Sequence, residues 1–504
     1  MSDVSRRGWL KLGAAAGADL LATARTGGAL EATGTPPAAP PAADELQDLL
    51  QELVAKHRVP GAIAGVSHRG EVLTAATGTA NLNTGAPMTP DLAFIAGSIT
   101  KVWTTTLAMT FVDQGIVQLE VPLVHYLPKL RFADPAATRI VTLRHLLNHS
   151  SGLDVGDYFL DRGEGPCAHQ IYVDSLARIG QIHRPGAYSS YCNGGFMIVA
   201  NLLETVTNGS WRKLLTSRVI APMGLTRTYA EAEDGVLHGM VVGSLPEPGR
   251  PGSFSAVPKL LLPKTMAPVG TTLIFNVQDL LAFARMHLAG GLADNGHRIL
   301  SEKSARAMAT RTIDAPSPNV AGFGLGWMHA VIGGRTILSH GGGSNGGRSL
   351  VMVIPDLGLC LASFVNLSTP GEFQTELHDR LTARYGAAGA KSSITVPAMP
   401  PSGAAALDGF VGTFRRQTSR ITVRLEGGKL RLESEFFPAE AEGTEAYGLG
   451  GVSAIDVVPV APNALGVPGT AALSRSTGWV FLDPDEKGRF RLLYEGGRLS
   501  RRIA

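Results

Sequence analysis

A chain of 504 residues is longer than one compact core usually organises, so two folded domains are expected. Its 45 Lys+Arg against 42 Asp+Glu, a net charge of +3, gives no reason to expect nucleic acid or an anionic membrane as partner. No apolar run reaches the roughly 18–20 residues of a spanning helix, so stable membrane insertion is not expected, and the partner class left is a small molecule or short peptide met in a pocket.

In chain order, Ser5-Arg6-Arg7-Gly8-Trp9-Leu10-Lys11 resembles a twin-arginine export signal, followed by a mildly apolar stretch and a small-residue Ala22-Thr23-Ala24. That predicts a periplasmic or secreted protein, with residues 1–43 as signal and linker. The cysteines, Cys167, Cys192 and Cys360, are too few for a disulfide scaffold and read as buried apolar residues. Leu46, Leu49, Leu50, Leu53 and Val54 repeat at helical spacing until Pro60-Gly61. Strands over 62–67 and 71–77 then form a hairpin around Arg69-Gly70. The stretch 102–112 predicts a helix apolar on most faces, hence buried, and 113–289 reads as mainly helix and loop.

Strand signals return at 336–339, 349–354 and 359–364, with 341–347 and 355–358 as turns, before an amphipathic helix over 372–385. The layout is α+β: an antiparallel sheet assembled from both ends of residues 44–386, flanked by helices, with a helical region between. Residues 387–403, rich in Ala, Ser and Pro, read as a linker. Residues 404–504 read as an all-β barrel-like or sandwich domain.

Chemistry enters at Ser98-Ile99-Thr100-Lys101, where the buried helix begins. Three residues is nearly one helical turn, so the lysine amine returns over the serine hydroxyl. Burial favours the neutral amine, a base, and a serine at a helix start has its own N–H free for an oxyanion. Spacing alone is weak, because Ser210-Trp211-Arg212-Lys213 repeats it. That copy reads as a helix N-cap followed by surface charge. His145 and His149, four apart, could be read as metal ligands, but no third ligand accompanies them and they read as structural. The glycines of 341–347 lack the Lys-Ser/Thr of a phosphate loop.

Order decides between the two copies. Behind Ser98 and Lys101 come Tyr191-Cys192-Asn193 and then His340-Gly341-Gly342. This series resembles the serine β-lactamase, penicillin-binding protein and D-peptidase family, whose motifs run S-x-x-K, Y-x-N and K/H-x-G. The stretches Thr142–Leu153, Ala221–Leu225 and Gly322–Trp327 are similar to the same family. The resemblance implies a β-lactamase/transpeptidase-like fold for residues 46–385. The C-terminal part resembles the lipocalin-like domain that some members append. The roles it implies are Ser98 as nucleophile, Lys101 and Tyr191 sharing its proton, and Asn193, His340 and Gly342 binding substrate. The N–H groups of Ser98 and Gly343 would form the oxyanion hole, and no metal or other cofactor is expected. His340 stands where many β-lactamases have lysine, which favours peptidases, esterases or acyltransferases. The expectation is a peptidase or amidase on short, D-residue-containing peptides. Alternatives are an esterase, a weak β-lactamase, a penicillin-binding-type thioesterase or cyclase, and a silent ligand-binding protein. Export argues against the thioesterase, whose carrier-bound substrates are cytoplasmic, and Tyr188 competes with Tyr191 as the motif tyrosine.

Overall fold

The computed structural model describes residues 43–156, 161–165, 167–317, 320–387, 407–436, 451–468 and 478–504. Apart from Ala43 and Ala387, the expected leader and both expected linkers fall outside these residues. The first helix, α1 (Ala43–His57), buries Leu46, Leu50 and Leu53, with Asp44 and Glu45 in its first turn and Lys56 and His57 in its last. Those charges complement the helix dipole. Strands β1 (Gly61–His68) and β2 (Glu71–Asn81) follow, joined by Arg69 and Gly70 at φ of 51° and 91°. Two central residues at positive φ are what a tight hairpin between twisted strands requires.

The principal helices after this hairpin are α2 (Thr100–Asp113), α3 (Asn193–Thr207) and α4 (Val277–Leu288). Then come β3 (Met328–Ile332), β4 (Arg335–Ser344), β5 (Gly347–Ile354) and β6 (Leu359–Val365), and finally α5 (Phe373–Arg384). Among the described residues the sheet has nine strands, ordered Ala86–Pro87, β2, β1, β6, β5, β4, β3, Gly322–Phe323, Ile313–Asp314. β1 pairs antiparallel with β6 from Ala62↔Val365 to His68↔Leu359, so the N-terminal hairpin docks on the last strand of the unit. On one face, α1 and α5 bury Leu50, Leu53, Phe373 and Leu377 against Ala64, Leu361 and Met352. The other face carries Ile63, Val353 and Phe364 against the central helices.

Helix α2 is threaded through that second core, and every residue from Thr100 to Phe111 is buried. A threonine-rich helix tolerates burial when its hydroxyls are satisfied locally. Thr105 and Thr106 donate to the Lys101 and Val102 carbonyls at 2.8 and 2.9 Å. Trp103 stacks on Phe283 of α4 with ring centroids 3.8 Å apart. The close fit continues at Gly65, where a Cβ would lie 2.7 Å from a Val277 methyl.

The C-terminal strands β7 (Gly412–Arg416), β8 (Ser419–Glu426), β9 (Lys429–Phe436), β10 (Gly451–Ala461), β11 (Ala464–Gly466), β12 (Gly478–Pro484), β13 (Phe490–Glu495) and β14 (Arg498–Arg502) close into a barrel. Phe414, Ile421, Leu432, Phe481 and Leu493 pack its interior. The barrel rests on the larger unit through Leu492, Tyr494 and Leu499 against Ile182. Beside them, Leu499 N–H donates to Ser190 Oγ at 3.1 Å.

Two expectations need correction. Gly341 to Ser344 are not a turn but the end of strand β4, paired with Gly347 to Leu350, so only Asn345 and Gly346 turn the chain. Glycine marks a turn in sequence, but here it permits a close backbone contact described below. Strands β3, β7, β10 and β11 carried no clear pattern, being short or interrupted. Cys167 is exposed, while Cys192 and Cys360 are buried as expected. No helix among the described residues is long and apolar enough to cross a membrane.

Candidate active site

Ser98 sits in the single 3-10 turn Gly97–Ile99 that leads into α2, 8% exposed, where first-turn N–H groups lack helical partners. One turn on, Lys101 has no exposed surface, and its Nζ lies 3.1 Å from Ser98 Oγ. The amine also donates to the Val269 carbonyl at 3.2 Å, at the end of the turn Lys264–Val269. Burial holds the Lys101 pKa well below the usual lysine range, and the nearby Arg498 guanidinium pushes the same way. The neutral amine is therefore favoured, a base in contact with a hydroxyl.

The floor is made of bare backbone. A Cβ on Gly342 would meet the Ala96 carbonyl at 2.0 Å, and one on Gly97 would meet Gly343 N at 2.5 Å. Gly270, at φ 126°, approaches Gly97 O in the same way. Glycines thus let β4, the serine turn and the 264–269 turn stack without side chains between them, which sets Gly343 beside the serine turn.

Tyr191 is 4% exposed, and Lys101 Nζ lies 4.9 Å from its ring centroid. Its backbone is fixed from the barrel, where its N–H donates to Gly497 O at 2.9 Å. Arg498 lies 5.1 Å over the same ring. Asn193 opens α3, and its Nδ2 donates to Gly156 O at 2.8 Å. That leaves Oδ1 as a buried acceptor with no hydrogen-bond partner among the described residues. His340, fully buried on β4, donates from Nδ1 to the Gly341 carbonyl at 2.8 Å. Its Nε2 is therefore an acceptor, again without a partner among the described residues. Burial, with Lys101 close by, pushes the His340 pKa down to about 3, so the ring is neutral.

The structure thus brings Ser98, Lys101, Tyr191, Asn193, His340, Gly342 and Gly343 to one place. The competitors fall elsewhere. Ser210 caps the short helix Trp211–Leu215, accepting from Lys213 N–H at 3.4 Å. Tyr188 packs with the barrel-facing cluster around Ile182. His145 and His149 do not share a helix face, because Leu143–Leu147 ends before His149. Among the described residues no group of three or more His, Cys, Asp or Glu is placed to hold a metal ion.

Two site residues escaped the sequence. His149 stacks on Tyr191 at 4.4 Å and accepts from Cys192 N–H at Nδ1, 3.0 Å away. Its membership of the Thr142–Leu153 stretch was the available signal, and it was read as structural. Arg498 comes from the barrel, 307 residues from Tyr191 along the chain, and no local pattern announces it.

A helix-start serine against a buried lysine, with bare backbone N–H groups beside it, defines the class of acyl-transfer sites found in serine hydrolases. The family model described as beta-lactamase matches residues 46–384. Penicillin-binding protein 4 of Amycolatopsis lactamdurans is 33% identical over 369 residues, covering 72% of this chain and 95% of that protein. A D-aminopeptidase of Brucella anthropi is 29% identical over 296 residues, 57% of this chain and 52% of that protein. The crystal structure of SurE with D-Leu superposes with a TM-score of 0.71 at 27% identity, covering 92% of this chain and 99% of that one. The chain belongs to the beta-lactamase family of serine hydrolases.

Proposed function

We propose that this protein is a serine peptidase or amidase that forms an acyl-enzyme on Ser98 and acts on short peptides containing D-residues. The observation that carries the reading is Ser98 Oγ at 3.1 Å from a fully buried lysine amine. In the proposed sequence, Ser98 Oγ attacks the substrate carbonyl carbon as its proton passes to Lys101. The oxyanion is held by the N–H groups of Ser98 and Gly343. The C–N bond breaks as the proton passes to the leaving amine, with Tyr191 as relay. Water then attacks the Ser98 ester, gives its proton to the Lys101–Tyr191 pair, and the acid leaves as Ser98 regains its proton.

The acceptors Asn193 Oδ1 and His340 Nε2 suit substrate N–H groups. A neutral His340 offers no cation to a β-lactam carboxylate, which argues against β-lactamase activity. The D-aminopeptidase relative and the D-Leu in the SurE structure support D-residue substrates. The twin-arginine-like start supports export.

Labelling with a fluorophosphonate or fluorescent penicillin, read by intact mass, tests the nucleophile. Wild type is expected to gain one adduct and Ser98→Ala none. Absence of label on wild type, or label at the same site in Ser98→Ala, overturns the reading. D- and L-aminoacyl anilides, nitrophenyl esters, nitrocefin and a peptidyl thioester with and without an amine then separate the substrate classes. Turnover of D-aminoacyl anilides at least tenfold above the rest is expected. Because the base must be neutral, kcat/KM rises with pH through the depressed Lys101 pKa and is lost as pH falls below it.

A further inference from the structure

Tyr191 is set from the barrel as much as from the larger unit. Strands β13 and β14 are joined by Gly496 and Gly497 at φ of 56° and 89°, a turn without side chains, and Glu495 pairs with Arg498 across it. The bare turn lets the Gly497 carbonyl reach the Tyr191 N–H at 2.9 Å. Next to it Arg498 is only 2% exposed, and its guanidinium lies 5.1 Å from the Tyr191 ring centroid. A guanidinium is costly to bury, and a ring face is one of the few apolar surfaces that attract it. The same guanidinium reaches the backbone of the larger unit, Nη2 donating to the Gly156 carbonyl at 3.4 Å. That carbonyl also accepts from Asn193 Nδ2 at 2.8 Å, which fixes the orientation of the amide. Position 156 suits glycine, because a Cβ there would lie 2.8 Å from Arg498 Nε and 2.8 Å from the Tyr191 carbonyl.

We propose that Arg498 is a positioning residue of the acyl-transfer site, holding the Tyr191 ring in place beside Lys101 and, through Gly156, the amide of Asn193. This role rests on the reading of Ser98 as nucleophile and makes the barrel a part of the catalytic apparatus. If the hairpin tip withdraws, Tyr191 loses its backbone acceptor and the cation over its ring together. Arg498 also acts on Lys101, disfavouring the ammonium form. Among the described residues the other titratable groups around Lys101 are Tyr191 and Cys192 ahead of α3, His149, and His340 on β4, none of them a carboxylate.

The rate of fluorophosphonate labelling of the full-length protein, followed by intact mass across a range of pH, is the test. Arg498→Met keeps most of the buried stem and removes the charge, whereas Arg498→Lys keeps the charge but not the planar fork. The probe carries no peptide to be recognised, so its rate reports the groups of the site itself. Arg498→Met is expected to label more slowly by about tenfold to a hundredfold, as Tyr191 and Asn193 lose their registration. The acid limb of its rate is expected to move to higher pH, because the Lys101 ammonium is no longer opposed by a second cation. Lost packing alone would leave that limb in place. Arg498→Lys is expected to keep the wild-type limb and to label at an intermediate rate. A folded Arg498→Met protein with the wild-type rate overturns the proposal, and so does a slower one whose limb has not moved. Normal labelling with lost peptide turnover also overturns it, since Arg498 would then be a substrate contact. Where Arg498→Met does not fold, a folded Arg498→Lys protein at the wild-type rate overturns it. A wild type that takes no label overturns the reading of Ser98 and this role with it, while every other outcome leaves that reading standing.

Discussion

His149 shows how much of this site depends on one side chain in an unusual backbone state. It has φ of 61°, a left-handed conformation costly for a non-glycine residue, and is buried between Tyr191, Phe196 and Phe323. The surrounding contacts hold it there, because Nδ1 takes the N–H of Cys192 while the ring face lies on Tyr191. Burial keeps its pKa well below the usual histidine range, so it adds no cation beside the amine. His149→Phe keeps the ring stack but leaves the Cys192 N–H buried and unpaired, a loss of about 1–3 kcal/mol. Urea unfolding checks that figure, and unchanged stability would contradict the packing argument. A fall in kcat of about tenfold is expected as Tyr191 loosens, about 1.4 kcal/mol in barrier. Sequence made Ser98, Lys101 and Tyr191 visible because their order is a one-dimensional signal. His149 and Arg498 were invisible as site residues because only the fold turns them toward Tyr191.

At the level of elements, the site is a meeting of three backbones rather than three side chains. Strand β4 reaches the serine turn through Gly342, where an added Cβ would lie 2.0 Å from Ala96 O and 2.3 Å from Ser349 Oγ. Ser349 Oγ in turn donates to that same Ala96 carbonyl at 2.8 Å, so neither neighbour is free to withdraw. Gly342→Ala therefore has to push β4 away from Ser98. Overpacking of this kind costs about 1–3 kcal/mol of stability. The larger effect is expected on acylation, because displaced oxyanion donors cost about 10²–10³ in rate. Fluorophosphonate labelling rates measure this directly, and a wild-type rate in a folded Gly342→Ala protein rules the arrangement out. The same glycines explain the misread turn: composition at 341–347 signals a loop, whereas the tertiary contact demands glycine in a strand. The terminal helices, the first hairpin, β5 and β6 were legible because their apolar periodicity matches their burial. β3, only Met328–Ile332, is defined by its partner β4 rather than by any pattern of its own.

For the whole molecule, a buried interior that houses several neutral histidines makes stability depend on acidity. Burial pushes His287 and His340 down to about 3 and His329 to about 4. His287 donates from Nε2 to Thr106 Oγ1 at 3.1 Å, since that hydroxyl already donates to Val102 O, and its ring lies edge-on to Trp327. In the unfolded chain each histidine titrates near ~6.5. Below that pH the unfolded state takes up protons that the folded state refuses. The folded-state pKa values are depressed, so this stability is fully present above about pH 6.5 and is lost as pH falls toward 4 and 3. Each histidine contributes a slope of about 1.4 kcal/mol per pH unit in that window. The buried Lys101 amine acts in the same direction, being charged when unfolded and disfavoured as a cation when folded. At pH 5.5 the three histidines together remove about 4 kcal/mol, a large part of the 5–15 kcal/mol that a folded domain has in reserve. Urea unfolding at pH 7.5, 6.5 and 5.5 is expected to show a steeper loss across the second interval than across the first. In His287→Gln the slope below pH 6.5 is expected to fall by about 1.4 kcal/mol per unit, whatever the variant's absolute stability. Equal stability at pH 6.5 and 5.5 in wild type would mean that these rings reach solvent or a counter-charge on protonation, and that the interior is less closed than its packing implies.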